Sequence, residues 1–217
     1  MLTQADVTGD ADALSIAKAG VKARHGKPGD VFLGLVHRLD RPVSGVLLFA
    51  RTSKAASRLA EAFRARRVTK RYLTVVEGTP DAGGWQDAVA GLTYGPTGTA
   101  RVVAPGTAGA QRASLAWRSL AVVGRRALVE VDLHTGRKHQ IRAQLAALGM
   151  PVVGDLRYGA PSAFAGGRGI ALHAARLVVP HPTRGDDAAF VSRPAWPDGV
   201  GEDVSDALDA WLSAAGA

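Results

Sequence analysis

The sequence predicts an α+β fold whose central sheet is mixed or antiparallel. Residues 115–123 and 127–134 carry strand patterns on either side of a Gly124-Arg125 turn, and the second alternates apolar and polar side chains, as a half-buried hairpin strand does. Helical patterns are scattered among such strands, which favours α+β over a parallel α/β sheet. The length of 217 residues and the hydrophobic content of 47% suit a single domain, 1–217, with a sizeable core.

Two strands, a helix and a third strand are predicted in the first part of the chain. The apolar runs 31–39 and 45–51 are separated by a loop that contains proline, a turn residue. Ser53 is expected to cap a helix that extends to about Arg67, because small and apolar residues recur there at helical spacing. Residues 71–77 return to the pattern of a strand.

The part of the chain after the hairpin predicts a helix, a strand and a terminal helix. The first helix is expected to stop at Gly149, since glycine favours the position that follows a helix end. Residues 169–180 have the pattern of a strand, and residues 203–215 that of an amphipathic helix. The glycine-rich stretches 95–109 and 161–169 are expected to be flexible.

The composition is basic and lacks cysteine. Lys and Arg number 27 against 19 Asp and Glu, a net charge of +8, and arginine supplies 21 of the cations. This balance is typical of proteins that bind nucleic acid, although a solvated basic surface gives the same count. The lack of cysteine excludes disulfides and thiolate chemistry. No apolar run has the length of a membrane helix and the first residues carry no signal-peptide pattern, so we expect a cytoplasmic protein.

The first candidate for chemistry is the carboxylate of Asp40. It follows a predicted strand, stands between Arg38 and Arg41, and precedes a proline turn. A strand end holds a side chain rigidly while exposing it, and neighbouring cations favour the charged carboxylate that a nucleophile needs. The alternative is a surface aspartate in an ion pair with one of these arginines, which is a common arrangement.

Two further polar segments are candidates for binding. In Lys70-Arg71-Tyr72 an aromatic side chain lies between cations and a strand, where it would either stack on a base or fill the core. In residues 134–142, basic side chains occupy the start of a helix, a placement that an anion would favour; a solvated face is the alternative. A metal site on His134 and His139 is a weaker hypothesis, because they lie five residues apart across a strand–helix junction.

Together these segments resemble the RluA-type pseudouridine synthase family. VHRLDRPVSGVLLFART (36–52) is similar to its catalytic motif, KRYLTVVEG (70–78) to its tyrosine motif, and LHTGRKHQIRAQLAALGMPVVGDLRYG (133–159) to its third motif. The resemblance implies a mixed, mostly antiparallel central sheet with flanking helices and a basic cleft. It also implies that uridine in RNA is isomerised to pseudouridine, with no cofactor and no metal.

The resemblance implies roles for individual residues. Asp40 corresponds to the catalytic aspartate, and Arg142 would pair with it and orient it. Tyr72 would stack on the target base and assist proton transfer at the sugar. Arg38 would enter the gap that the flipped base leaves, and Ile141 would line the pocket.

Contacts with RNA are implied along all three motifs. The further residues expected to bind the substrate are His37, Arg41, Arg71, Arg137, Lys138, His139 and Gln140. The partner would be ribosomal or transfer RNA, with ribosomal RNA as the preferred expectation. We expect a monomer that does not associate with membranes.

The chain departs from the family pattern before its first motif. Relatives carry a strand segment with Lys-Pro well upstream, whereas only 36 residues precede His37 here and Lys27-Pro28 lies too close. We therefore expect the first strand of the family to be missing or shortened, and no accessory S4-like RNA-binding domain. A catalytically silent protein that binds RNA through the same cleft is the alternative function.

Overall fold

The structure is a computed structural model that describes residue 3 and residues 12–26, 28–81, 83–167, 169–196 and 204–216. The chain divides into two compact units. The first consists of Met1–Pro42, Leu47–Val68 and Val178–Ala189, and the second consists of Val43–Val46, Thr69–Leu177 and Phe190–Ala217. The expectation of a single domain stays a prediction.

The described residues contain four α-helices and ten strands. The helices are α1 (Ala13–Arg24), α2 (Ser53–Arg64), α3 (Gln140–Ala147) and α4 (Ser205–Gly216). The strands are β1 (Gly34–Leu35), β2 (Ser44–Gly45), β3 (Phe49–Ala50), β4 (Thr69–Glu77), β5 (Gln86–Tyr94), β6 (Ala100–Val103), β7 (Gln111–Val123), β8 (Arg126–Leu133), β9 (Leu172–Pro180) and β10 (Asp187–Val191). Two short 3-10 turns, Leu156–Tyr158 and Ala165–Gly167, lie between α3 and β9.

The large sheet is mixed and mostly antiparallel, as the sequence predicts. Its strand order is β10-β9-β4-β8-β7-β5-β6, and β2 pairs with β9 in parallel. The pairs β4–β8, β7–β8, β5–β7 and β5–β6 are antiparallel. The predicted hairpin is confirmed, since Val123 faces Arg126 across the Gly124-Arg125 turn.

Hydrophobic side chains cover both faces of the second unit's sheet. We call one face the α3 face; its buried side chains include Val76, Val129, Val131, Ile141 and Leu145. We call the other the α4 face; its buried side chains include Leu73, Val75, Leu128, Leu208 and Trp211. Successive strand residues point to opposite faces of a sheet. The remaining side chains of β4 and β8 can therefore be assigned to one face or the other by counting along each strand.

Helix α2 begins and ends at different residues than the sequence predicts. Thr52, and not Ser53, is the N-cap, and its hydroxyl accepts a hydrogen bond from the Ala55 amide at 3.2 Å. The helix ends at Arg64, before Arg67, because Arg66 takes a left-handed conformation with φ 56°. A right-handed helix cannot extend through a residue in that conformation.

The other differences concern short or weakly patterned elements. The predicted strands 31–39 and 45–51 shrink to the two-residue strands β1, β2 and β3, and β9 begins at Leu172. The stretch expected to be flexible at 95–109 contains β6. Helix α1 and strand β5 were not predicted, and residue 203, the expected start of the terminal helix, lies outside the described residues. No helix in the part of the chain that the structure describes combines the length and apolarity needed to span a membrane.

Candidate active site

The catalytic motif starts in the first unit, on a segment that His37 fastens. Nε2 of His37 accepts a hydrogen bond from the Leu48 amide at 2.9 Å, and the ring stacks on Phe63 of α2 with centroids 5.0 Å apart. Asp40 follows this anchor and is half-buried, and Arg38 and Arg41 are exposed. The predicted contacts of these four residues with RNA stay predictions, and the structure gives His37 a structural role in addition.

The motif continues in the second unit, where residues 43–46 are fastened to β9. Ser44 and Gly45 pair with His173 and Ala174, and the Val46 amide donates to the Ala174 carbonyl at 2.9 Å. The hydroxyl of Ser44 lies 2.8 Å from Nδ1 of His173. The end of the motif is therefore held by backbone and side-chain hydrogen bonds together.

Tyr72 lies on the α3 face and meets residues of the other two motifs there. Its half-buried ring packs against the cluster that contains Ile141 of α3, and Val43 packs against the same cluster. Nearby on the same strand, the amine of Lys70 lies 3.7 Å from the point where a Cβ on Gly136 would stand. The three motifs thus converge on one face of the sheet in the second unit.

Arg71 lies on the α4 face, opposite Tyr72. Its guanidinium pairs with Glu130 at 3.4 Å and with Asp132 at 3.2 Å, and it lies 4.6 Å from the ring centroid of Trp85. The structure does not bring Arg71 together with Tyr72, so it does not favour the predicted contact with substrate. The alternation of strand side chains already carries this information, because adjacent strand residues face opposite ways.

Gln140 closes the turn before α3. Its side-chain oxygen accepts from the Thr135 hydroxyl at 2.7 Å and from the Arg137 amide at 3.0 Å, and its amide nitrogen donates to the Ser114 carbonyl at 3.1 Å. The side chain is buried. Contact between Gln140 and RNA stays a prediction that this placement does not favour. Nε of Arg137 donates to the Arg112 carbonyl at 3.1 Å, and the residue is half-buried.

His139 is buried and is held by Tyr158. The Ala100 amide donates to the phenol oxygen at 2.9 Å, and Nδ1 of His139 lies 2.9 Å from the same oxygen. Burial raises the pKa of Tyr158 above its ordinary value of 10.0, so the phenol keeps its proton at neutral pH. Tyr158 thus joins His139 to the start of β6 through one oxygen.

Lys138 contacts the turn between β5 and β6. Its carbonyl accepts a hydrogen bond from the Tyr94 hydroxyl at 3.3 Å, and its amine lies over Gly98, which has a positive φ of 70°. A side chain on residue 98 would meet this amine. The turn therefore borders the start of α3, where the basic residues of the third motif are located.

Arg142 is buried in a bidentate ion pair with Asp155. Nε and Nη2 donate to the two carboxylate oxygens at 2.5 Å and 2.8 Å, and the guanidinium carbon lies 5.0 Å from the ring centroid of Tyr158. Asp155 was not predicted as the partner of Arg142, although Asp155 and Tyr158 both lie within the third motif, 133–159. The expected pairing of Arg142 with Asp40 stays a prediction.

The weaker metal hypothesis has no supporting geometry. His134 lies 3.7 Å from Asp132 and 3.3 Å from the hydroxyl of Ser114. His139 instead bonds Tyr158. Among the residues that the structure describes, no group of three or more His, Asp or Glu side chains is arranged to hold a metal ion.

Comparison with known sequences identifies relatives of one kind. The family model described as RNA pseudouridylate synthase matches residues 8–147. An uncharacterized RNA pseudouridine synthase of Chloroflexus aurantiacus is 40% identical over 157 residues, 72% of this chain and 48% of the relative. The tRNA pseudouridine synthase C of Salmonella typhi is 37% identical over 171 residues, 69% of this chain and 63% of the relative. The ribosomal large subunit pseudouridine synthase D of Zymomonas mobilis is 32% identical over 167 residues, which are 72% of this chain and 51% of the relative.

Comparison with solved structures agrees with these matches. Human RNA pseudouridylate synthase domain containing 4 superposes with a TM-score of 0.73 at 24% identity, covering 96% of this chain and 86% of that one, which confirms the predicted fold. Human RNA pseudouridylate synthase domain containing 1 superposes with a TM-score of 0.62 at 25% identity, covering 88% and 85%. The chain spans about half to under two thirds of the length of the curated relatives named above. By the family match over residues 8–147 and by this fold, the chain belongs to the RNA pseudouridylate synthase family.

Proposed function

We propose that the protein is an RNA pseudouridine synthase that isomerises a uridine of RNA, with Asp40 as its catalytic aspartate. The observation that carries the proposal is the shared cluster of Tyr72, Ile141 and Val43 on the α3 face. Three residues of chain connect Asp40 to Val43, a reach of about 11 Å at most. Residues from all three family motifs are thus held near one another in a protein whose family performs this reaction.

The reaction needs a nucleotide that is accessible on all sides. A paired or stacked uridine must flip out, at a cost of a few kcal/mol. The exposed Arg38 is suited to fill the vacated stack, because a guanidinium plane stacks on bases. The cations at the start of α3, Arg137 and Lys138, are suited to hold the phosphates beside the flipped nucleotide.

The chemistry then exchanges one bond to the sugar for another. The bond between N1 of uracil and C1′ of ribose breaks, the base rotates, and a bond between C5 and C1′ forms. C5 loses its proton and N1 gains one, so the product is an isomer of the substrate. Asp40 assists the departure of the base, either by adding to C1′ or by promoting elimination to a glycal. Tyr72 stacks on the target base and assists proton transfer at the sugar.

Arg142 is proposed to orient Asp40. Asp155 occupies Nε and one proton of Nη2, and it fixes the plane of the guanidinium. A guanidinium has five N–H donors, more than the two that Asp155 accepts, so an arginine is suited to bind a second carboxylate beside the first. Such an arrangement would place Asp40 against the reacting carbon in one orientation, which accelerates a reaction by removing orientational freedom in advance.

Ribosomal RNA is the substrate class that we propose. One relative is named for the large ribosomal subunit and another for tRNA, and the chain is 32% and 37% identical to them. Both RNA classes therefore belong in the assay. Modification confined to tRNA would overturn the choice of ribosomal RNA while leaving the reaction intact.

The test uses RNA from cells that lack the gene, labelled with tritium at C5 of uridine. Wild-type protein is expected to release tritium, because C5 loses its hydrogen when it bonds to C1′. Asp40→Asn is expected to release none and to bind RNA as before. The matched control Asp87→Asn removes an exposed carboxylate and is expected to release tritium as wild type does.

Two results would contradict the proposal. Unchanged tritium release by Asp40→Asn would exclude Asp40 as the catalytic group. Tight binding of RNA by wild-type protein without any release from either RNA class would support the alternative of a catalytically silent RNA-binding protein. Mapping pseudouridine across total RNA from cells with and without the gene would then identify the modified position.

A further inference from the structure

Ser44 and His173 form a hydrogen-bonded pair in the second unit. Oγ of Ser44 lies 2.8 Å from Nδ1 of His173, and Nε2 of the same ring lies 3.1 Å from the Ser192 carbonyl oxygen. His173 is 3% exposed, whereas Ser44 is exposed. A buried imidazole thus links the catalytic motif to the segment that follows β10.

The chemistry of the two contacts fixes the direction of the hydrogen bond. A carbonyl oxygen only accepts, so the Nε2 that faces Ser192 must carry the proton. Burial lowers the pKa of His173 below its ordinary value of 6.5, and this effect outweighs the hydrogen bond to Ser192, which acts in the opposite direction. The ring is therefore neutral at pH 7. Nδ1 is therefore an acceptor, and the Ser44 hydroxyl donates to it.

Backbone contacts already bring residues 43–46 to β9, so the side-chain pair adds a different constraint. Gly45 passes the strand so closely that a Cβ would overlap the backbone of Ala174, and the Val46 amide bonds the Ala174 carbonyl. These contacts act on the backbone of residues 44–46, whereas the hydrogen bond to His173 acts on the Ser44 side chain. Ser44 directly precedes Gly45, and Asp40 lies four residues before Ser44. The Ser44 side chain is therefore the first one met along the chain from Gly45 toward Asp40.

A serine bound to an oriented histidine is also the first half of a nucleophile–base pair. Acyl transfer would additionally need donors for an oxyanion. The Val46 amide, close to Ser44 in the chain, is already bonded to Ala174. The observations therefore favour a role in holding the chain over a role in covalent catalysis.

We propose that His173, acting through the hydroxyl of Ser44, is a positioning residue that fixes the segment carrying Asp40. The inference rests on the proposed function, in which Asp40 must meet C1′ of the flipped nucleotide. Neither residue needs to touch RNA for this role. Loss of the hydrogen bond is expected to lower kcat, with little effect on the affinity for RNA.

The test compares Ser44→Ala with Ser44→Thr, which keeps the hydroxyl. Ser213→Ala is the matched control, since Ser213 is exposed and also donates a hydrogen bond, to the Asp209 carbonyl. Ser44→Ala is expected to lower kcat about three- to tenfold, the range to which a net hydrogen bond of ~1 kcal/mol converts, with KM within about twofold of wild type. Ser44→Thr and Ser213→Ala are expected to stay within about twofold of wild type in both constants.

Hydrogen exchange provides a readout that does not depend on turnover. The Val46 amide and its neighbours in residues 40–46 are expected to exchange about three- to tenfold faster in Ser44→Ala, and at the wild-type rate in Ser44→Thr. Since Ser44 is exposed, its truncation leaves no cavity, and the rest of the sheet is expected to exchange unchanged. Equal exchange in Ser44→Ala and wild type would overturn the proposal whether or not the protein modifies RNA.

A double-mutant cycle assigns the effect to the pair. His173→Leu removes both hydrogen bonds at similar volume, and Ser44→Ala is expected to have no further effect on exchange or kcat in that background. Additive effects would overturn the inference, as would faster exchange with unchanged kcat. Absence of tritium release by wild-type protein would instead overturn the proposed function, and with it the catalytic part of this inference.

Discussion

Asp155 binds Arg142 through two parallel hydrogen bonds inside the second unit, and the two residues lie 13 positions apart in the sequence. Both side chains are almost completely buried, with 7% of the Arg142 side chain and 1% of the Asp155 side chain exposed. The stack of Tyr158 on the guanidinium adds a third contact. The orientation of Arg142, which is proposed to hold Asp40, is thus set by two residues that do not themselves need to reach the substrate.

Asp155→Asn is expected to destabilise the protein by about 3 kcal/mol, because it leaves a buried guanidinium without its counter-charge. Urea denaturation measures this difference. Tritium release is expected to fall as well, since Arg142 loses its fixed plane. Glu61→Gln is the control, because the Glu61–Arg67 pair at 3.4 Å is largely exposed and should cost about 0.5 kcal/mol or less. A loss below about 1 kcal/mol for Asp155→Asn would contradict the structural role of the pair.

Tyr72→Phe separates the chemistry of the tyrosine from its packing. The ring packs against the core cluster of the α3 face, and phenylalanine keeps that contact, so the free energy of unfolding should change by about 1 kcal/mol or less. Tritium release is expected to fall at least about a hundredfold, because the phenol is proposed to assist proton transfer. Release within about threefold of wild type would limit Tyr72 to stacking on the base.

The sequence carried enough information for the main sheet because its strands alternate clearly. In ALVEVDLH at 127–134 the alternating positions Ala127, Val129, Val131 and Leu133 are buried on the α3 face, and the structure confirms the hairpin to which they belong. The expectation of a half-buried strand is wrong, because Leu128 and Glu130 are buried on the opposite face. Strand β5 was missed because its small residues, such as Ala90 and Gly91, weaken the alternation. Helix α1 was missed because it buries none of its side chains, and so the sequence shows no apolar stripe.

The site was predictable at the level of motifs and less so at the level of contacts. Motif order pointed to Tyr72 and Ile141, which share a cluster. The pairing of Arg142 with Asp155 was not predictable from spacing, because a loop separates the helix from the carboxylate. The burial of Gln140 in its own turn depends on Ser114, which reaches it only when the sheet has formed.

Arg71 and Lys138 are expected to differ in how they affect RNA binding. Arg71 is paired with Glu130 and Asp132, so Arg71→Gln should lower the free energy of unfolding by about 1–2 kcal/mol and leave the salt dependence of RNA binding unchanged. Lys138→Gln should reduce the slope of log K against log salt by about 1, because one phosphate contact is lost. Titrations at several salt concentrations measure both slopes. An equal reduction by Arg71→Gln would place Arg71 on the RNA after all.

His173 should make the protein less stable in mild acid. Burial holds the pKa of His173 below 6.5 in the folded chain, so the unfolded chain takes up a proton first as the pH falls. The free energy of unfolding should therefore be unaffected by this group above about pH 7 and should decrease as the pH falls through 6.5. His173→Leu should reduce this decrease, and the exposed control His25→Asn should retain it. Identical pH profiles for wild type and His173→Leu would contradict the effect.

Gly45 is expected to tolerate no side chain, for two reasons that act together. Its φ of 117° lies in a region that other residues rarely adopt, and a Cβ there would overlap the backbone nitrogen, carbon and oxygen of Ala174. Gly45→Ala should therefore cost at least about 2 kcal/mol, or displace residues 43–46 from β9 and abolish tritium release. Gly84→Ala is the control, since nothing lies within 4 Å of its Cβ position and its φ is not positive. Urea denaturation with hydrogen exchange at Val46 distinguishes the two outcomes, because only displacement exposes that amide while the rest of the sheet keeps its stability. A Gly45→Ala variant as stable and as active as Gly84→Ala would show that this close approach is not needed to hold the catalytic segment.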